Sequence, residues 1–346
     1  MGSIVNHFLQ SLMVAAIMTV VMSCATVSPS ASALPERIQV WVPNLYPEGV
    51  AFDERSGKFF LSSVREGRIV RVHQDGRTET FANDSRLVST LGLVLDRKNN
   101  RLWACVSDPG VGQRSLPQTR GQLAQVAVID LDTGKIQQVI DLGGLLPGPH
   151  LANDLALDNH GNVYVTDSFA PVVYKIDSRG VASVLAKDQR FSTPAGVFGL
   201  NGIVYHPDGY LLAAHYASGT LYRISLSEAS RIETVTVVDR PFSTADGLAL
   251  LDSRTLAVTS NHLAPSSVFP SAVWRLSSED DWRSAHANGR FLTGETFPTT
   301  LAEAGDRLFV VNSHISHLFS GNSTIISDFS LHTVRFESMT ASGLSQ

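Results

Sequence analysis

Beyond Pro35 the chain alternates apolar and polar positions, and one arrangement of them returns six times. The segments PEGVAFDERSGKFFLSS, TLGLVLDRKNNRLWACVSD, NDLALDNHGNVYVTDS, NGIVYHPDGYLLAAHY, DGLALLDSRTLAVTSN and TTLAEAGDRLFVVNS share one order. Each has a polar start, an apolar strand, a polar turn, and a second apolar strand ending in small or polar residues. The turn pairs Ser56-Gly57, Asn99-Asn100, His160-Gly161 and Asp208-Gly209 supply the Gly or Asn that a tight hairpin needs at positive φ. The two strands of each repeat are therefore expected to pair antiparallel. A third strand follows as GRIVRVH, AQVAVIDLD, PVVYKIDS, GTLYRISL, SAVWRLS and STIISDF, and outer strands such as TETFA, IQQVIDL, ASVLA and TVTVV complete the unit.

Taking Gly49, Gly92, Asp154, Gly202, Gly247 and Thr299 as equivalent, the spacings are 43, 62, 48, 45 and 52 residues. Periods of this size are those of propellers and solenoids. The pattern predicts an all-β, six-bladed β-propeller of four-stranded antiparallel blades in one domain, residues 34–346. No helical pattern is found beyond the amino terminus. RIQVWV, ahead of the first repeat, is expected to pair with the last blade and close the ring.

Residues 1–33 read differently. Phe8–Ala25 carries no charge and is followed by SPSASA, the order of an export signal. Cleavage after Ala33 or lipidation at Cys24 would both fit, and an uncleaved anchor is the alternative. The folded part is accordingly expected to be secreted or held at the cell envelope, with membrane attachment only through this segment. The 27 Lys and Arg against 32 Asp and Glu give a formal charge of −5, which argues against a nucleic-acid partner. Two cysteines, Cys24 and Cys105, give no disulfide framework, and Cys105 in LWACV reads as a buried, inert thiol.

In a propeller the residues that begin each innermost strand converge at one mouth of the central channel. Here they are Pro47-Glu48, Thr90-Leu91, Ala152-Asn153, Leu200-Asn201, Ala245-Asp246 and Pro298-Thr299. Glu48, Asn153, Asn201 and Asp246 offer two carboxylates and two amide oxygens, which suit Ca²⁺ or another hard divalent cation better than zinc. The turns on the same face carry His215, His262, His314 and His317, and His150 arrives just ahead of Asn153. A histidine beside a polarised carbonyl can act as general base, and His150 and His262 are the first choices. The plainer reading of each is a neutral ring lining a pocket. Ser107–Gln125 accounts for the longest spacing and is expected to be a lid, with Arg114 and Arg120 able to meet an anionic or oxygen-rich substrate.

The segments PEGVAFD, ANDLALDNHGNVYVTDS, LNGIVYHPDG and ADGLALL resemble the family of senescence marker protein, gluconolactonase and luciferin-regenerating enzyme. Its members are six-bladed propellers, many of them calcium-dependent lactonases. The resemblance implies that Glu48, Asn201 and Asp246 hold the catalytic metal and that Asn153 lies beside metal and substrate. Leu151 stands where the family's sugar lactonases have Arg, which turns the expectation from a sugar lactone toward an apolar lactone or ester. Asp246, His150 or Glu48 would receive the proton from attacking water. A competing reading keeps the ring without hydrolysis, as a propeller with structural calcium that binds a small molecule or guides a cyclisation.

Overall fold

The computed structural model describes residues 34–263, 268–294, 296–322 and 324–339. Residues 1–33, where the sequence reading expects an export signal, lie outside them.

A strand β1 (Arg37–Trp41) precedes the first repeat, which folds as β2 (Val50–Asp53), β3 (Lys58–Leu61), β4 (Ile69–Val72) and β5 (Thr78–Ala82). The second supplies β6 (Ser89–Asp96), β7 (Arg101–Ser107), β8 (Ala124–Asp130) and β9 (Ile136–Asp141). The third supplies β10 (Ala152–Leu157), β11 (Val163–Asp167), β12 (Val172–Ile176) and β13 (Ala182–Lys187). Each of these three is a separate antiparallel sheet paired in sequence order. The predicted turns hold: Gly57, Asn100, Gly161 and Gly209 all have positive φ.

The next two repeats depart from the expectation of separate blades. β14 (Leu200–His206), β15 (Tyr210–His215), β16 (Thr220–Ser225) and β17 (Ile232–Val238) form one antiparallel run. β18 (Leu248–Asp252), β19 (Thr255–Ser260), β20 (Ala272–Ser277) and β21 (Ser284–Leu292) form another. The outer strands β17 and β21 pair in parallel, Thr236 to Ser284 through Val238 to His286, so the two runs merge into one sheet with these eight strands along its path. β21 is nine residues long and projects far enough to reach its neighbour.

The last repeat gives β22 (Pro298–Ala304), β23 (Arg307–Asn312) and β24 (Asp328–Thr333), and its fourth strand is β1, paired antiparallel to β24 from Arg37–His332 to Trp41–Asp328. Its third strand thus starts later than expected, taking in only the last two residues of STIISDF, because a short helix α1 (Ile315–Phe319) and a loop occupy the preceding chain. That helix corrects the expectation of none. A two-residue strand β25 (Glu337–Ser338) adds to β21. No helix among the described residues is long and apolar enough to cross a membrane.

The result is an all-β, propeller-like fold. Its apolar core lies between neighbouring repeats rather than inside one. Leu91, Trp103 and Val126 of the second repeat pack with Leu155, Val165 and Tyr174 of the third, and Leu212 and Leu221 pack with Val258 and Trp274 in the same way. Each fully buried side chain of this size withdraws apolar surface worth about 1.5–3 kcal/mol.

Polar bonds at the strand starts then pass round the whole ring. Ser63 N donates to Thr90 Oγ1 (2.8 Å), Ser107 Oγ to Ala152 O (2.7 Å) and Thr166 Oγ1 to Asn201 O (2.6 Å). Gly202 N donates to Asp246 O (3.1 Å), Gly247 N to Thr299 O (2.9 Å), and Thr299 Oγ1 to Glu48 O (2.8 Å), which returns to the first repeat. Contact is so close that a Cβ at Gly49 would strike Leu91 O and one at Gly202 would strike Asp246 O.

Candidate functional site

A β-bulge interrupts the innermost hairpin at Thr90/Leu93, Ala152/Leu155, Leu200/Ile203 and Pro298/Leu301. A bulge leaves a residue outside the ladder and re-aims its side chain. At the same register in every repeat, the second residue of the starting pair lines one cavity: Glu48, Leu91, Asn153, Asn201, Asp246 and Thr299. The cavity measures about 50 Å³, room for an ion and a small group, and its outer wall is apolar, with Phe198, Tyr216, Phe297 and Phe319 among its members.

All four oxygen-bearing residues are at least nine-tenths buried. Asn153 Nδ2 donates to Ser168 Oγ (2.9 Å), which leaves its Oδ1 as the free end of the amide. Asn153 Oδ1 and Glu48 Oε2 are buried with no hydrogen-bond partner among the described residues. Such orphans cost about 1–3 kcal/mol each and call for an explanation. Asp246 Oδ2 accepts from Asn261 Nδ2, which also donates to Pro298 O (2.7 Å), while Asn261 Oδ1 accepts from Tyr216 OH (2.9 Å).

Burial pushes the carboxyl of Asp246 up to about 7, against the hydrogen bond from Asn261, and the negative charge of Asp154 adds to the rise. Burial raises Glu48 well above the usual carboxylate range, and the charges of Asp246 and Asp154 push it further. Asp154, between the cavity and the channel beneath it, is pushed up to about 7 by burial, against the backbone N–H groups of Leu155 and Ile203. Two carboxylates, Glu48 and Asp246, and two amides, Asn153 and Asn201, line the cavity, and oxygen donors of this kind suit a hard cation. Among the described residues no three His, Cys, Asp or Glu side chains are grouped so as to hold a metal ion, so a cation here would depend on the amide oxygens of Asn153 and Asn201 beside Glu48 and Asp246.

The histidines are placed elsewhere. His150 is buried, its Nδ1 meets Asp167 Oδ2 (2.8 Å), and its Nε2 meets Leu146 O (2.8 Å). The Tyr174 hydroxyl also approaches Nδ1 (3.2 Å). The hydrogen bond to Asp167 outweighs burial and holds the His150 pKa above its ordinary value. His150 is absent from the cavity lining, and its two ring nitrogens are engaged by Asp167 and Leu146, so this histidine stands apart from Glu48, Asn153, Asn201 and Asp246.

His262 is half-buried with Nε2 unpartnered among the described residues, and burial lowers its pKa. It flanks the cavity through its neighbour Leu263 without lining it. His215 Nδ1 bonds Ser218 Oγ (2.9 Å) and His317 Nε2 bonds Thr324 O (2.9 Å); neither they nor His314 line the cavity. Leu151 is wholly buried in the core between the second and third repeats, so the position of the family's arginine faces packing here. Cys105 is a free, buried cysteine in the same core, as read from the sequence.

The Ser107–Gln125 insertion is a fixed wall rather than a lid. It folds about buried Asp108, which accepts from Gly110 N, Leu116 N and Thr119 Oγ1, and Arg65 clamps it through Val111 O (2.6 Å). Arg114 points away from the cavity and bonds Asp84 O, Leu87 O and Asn83 Oδ1. Asn261 escaped the sequence reading, although it sits beside the selected His262 at the end of β19, where the other repeats carry polar residues.

A ring of β-sheets whose strand starts converge on a buried set of carboxylates and amides defines the class: a propeller-like protein with one polar site at its channel mouth. The chain belongs to the SMP-30/Gluconolactonase/LRE-like family, whose sequence model matches residues 46–253. Among solved structures it is similar to the allergen Mala s 1 of Malassezia sympodialis, at 18% identity and TM-score 0.67 over 88% of this chain and 97% of that one. It is also similar to the gluconolactonase XC5397 of Xanthomonas campestris, at 15% identity and TM-score 0.57 over 88% and 94% of the two chains. The calcium-binding protein regucalcin of Agrobacterium tumefaciens shares 18% identity and TM-score 0.56 over 88% and 96%. No curated protein matches the sequence significantly.

Proposed function

We propose that the protein is an exported hydrolase of the lactonase and esterase type, acting at the cavity formed by Glu48, Asn153, Asn201 and Asp246. The observation that carries this reading is the pair of buried, unpartnered oxygens, Glu48 Oε2 and Asn153 Oδ1, beside Asp246 in one cavity. Family membership supports it, as do similar proteins described as a gluconolactonase and a calcium-binding regucalcin. The nine-stranded sheet counts as two blades joined at their outer strands, which makes six, in one domain spanning 34–346. Residues 1–33 would direct export.

Glu48, Asn153, Asn201 and Asp246 would hold a hard divalent cation such as Ca²⁺. When bound, such a cation stabilises the negative charge that develops on an ester or lactone carbonyl oxygen. The chain's own residues supply the rest. Asn261 and Asn201 both bond the Asp246 carboxyl and orient it to take the proton of the attacking water. Ser168 holds the Asn153 amide with its oxygen inward, and Phe198, Phe297 and Phe319 keep bulk water from the reacting carbonyl. With Leu151 in the core, the site has no arginine for a sugar hydroxyl at that position, which favours an apolar lactone or ester.

The test is calcium calorimetry on the full chain, wild type, Glu48→Gln and Asp246→Asn, with a lactone and aryl-ester panel assayed in the same samples. Binding and turnover should disappear together. Hydrolysis that persists in a variant without cation binding would sink the mechanism.

A further inference from the structure

Beside the inner cavity lies a larger one of about 510 Å³, within the range of small-molecule sites. Pro109, Phe198, Leu263 and Phe319 line both, so the two adjoin. The aromatic rings of this vestibule are arranged on one another. Phe169 stacks on Phe198 with ring centres 5.5 Å apart, and Phe319 meets Phe198 edge-on at 5.7 Å. Tyr216, which also lines the inner cavity and bonds Asn261, meets Phe198 edge-on at 6.1 Å. Phe198 is thus the hinge between the polar floor and the apolar mouth.

Among the described residues one charged side chain lines the vestibule, Arg120. It comes from the same fixed insertion as Arg114, but their roles diverge. Arg114 has three partners that pin the insertion down, whereas the exposed guanidinium of Arg120 has no hydrogen-bond or ion-pair partner among the described residues. The insertion beneath it is held by Asp108 and Arg65, so Arg120 starts from a fixed base. At the other end lie Glu48 and Asp246. The guanidinium attracts a ligand's anionic end to the rim while the polar floor receives its reacting group, which gives an elongated molecule one favoured direction of approach.

We propose that the vestibule selects anionic amphipathic substrates: esters or lactones whose apolar arm lies against Phe198, Phe169 and Phe319 and ends in a carboxylate, sulfonate or similar anion paired with Arg120. This deepens the hydrolase reading and rests on it for the reaction, though not for binding. Phe198 and Arg120 act as specificity residues.

Two fluorescent probes test binding on the full chain: anilinonaphthalene sulfonate, an aromatic anion, and phenylnaphthylamine, the same rings without the sulfonate. The wild type should bind both. Arg120→Gln should weaken the sulfonate about tenfold and the neutral probe by less than about twofold, the loss of one charge-assisted pair. Phe198→Ala should weaken both probes about tenfold through the lost ring contacts. Equal losses for the two probes in Arg120→Gln, or a wild type that binds neither, would overturn the proposal. Phenyl acetate and its carboxylated counterpart separate the two readings. Turnover of both with no charge contrast in Arg120→Gln would overturn the vestibule and keep the hydrolase. Probe contrast without any turnover would uphold the vestibule and remove the hydrolase.

Discussion

Replacing His150 by Phe separates a structural histidine from a catalytic one. The change removes two charge-assisted hydrogen bonds, to Asp167 Oδ2 and to Leu146 O, each worth about 1.5–3 kcal/mol when both partners are ordered. Asp167 would not be orphaned, because it also accepts from Leu151 N (2.8 Å), Phe169 N (3.0 Å), Ala170 N (2.9 Å) and Tyr174 OH (3.4 Å). The net loss should therefore be about 2–4 kcal/mol, at or below the cost of breaking a buried pair outright. The sign with pH follows from the raised pKa. The folded value lies above the ordinary one of about 6.5, so the His150 contribution is complete below that pH and is lost as pH rises through the folded value. Chemical denaturation of wild type and variant should show the widest gap near pH 6 and a narrowing gap on the alkaline side. Turnover per folded molecule should stay within about threefold, whereas loss of a general base costs about a hundredfold or more. A gap that widens with pH, or a folded variant without turnover, would refute the assignment.

Asn261→Ala should weaken calcium binding by about tenfold in calorimetry, since it frees the carboxylate that it now orients; unchanged affinity would deny Asn261 that part. Gly202→Ala should lower stability by about 2 kcal/mol or more and disturb the cavity, because its methyl group meets the carbonyl of Asp246; a fully stable variant with normal calcium binding would contradict the close approach. Burial pushes the Cys105 thiol well up, so an aromatic disulfide reagent should modify it only at the rate of unfolding. Rapid labelling of the native protein would show the core between the second and third repeats to be open.

The starting residues were readable in the sequence because repetition does the work of geometry. Once Glu48, Asn153, Asn201 and Asp246 occupy one register of a closed ring, no further information is needed to bring them together. The histidines resisted for the opposite reason. What decides His150 is Asp167, on the far strand of the same hairpin, and a carbonyl at Leu146; neither leaves a periodic trace. Leu151 shows the same limit, since its alignment with a family arginine says nothing of which way a residue beside a bulge will face. The seam between β17 and β21 was hidden because outer strands are half-exposed and polar, and nothing in TVTVV announces a parallel partner. Asn261 was overlooked beside a histidine whose chemistry looked more inviting, although polar residues also end the second strand at Ser62, Asp167 and Asn312.

The pairing of β1 with β24 means that the first strand to be made is among the last to find its place. Ile38 and Val40 are fully covered only when a partner some 290 residues later arrives, and Gln39 Nε2 then bonds Phe329 O. Until that moment the ring is an open crescent with two raw edges, so folding carries a waiting period proportional to synthesis, in which a second nascent chain could donate its strand instead. The seam also has a mechanical meaning: any load reaching the domain from the chain before Arg37 arrives first at β1, the strand that keeps the circle shut.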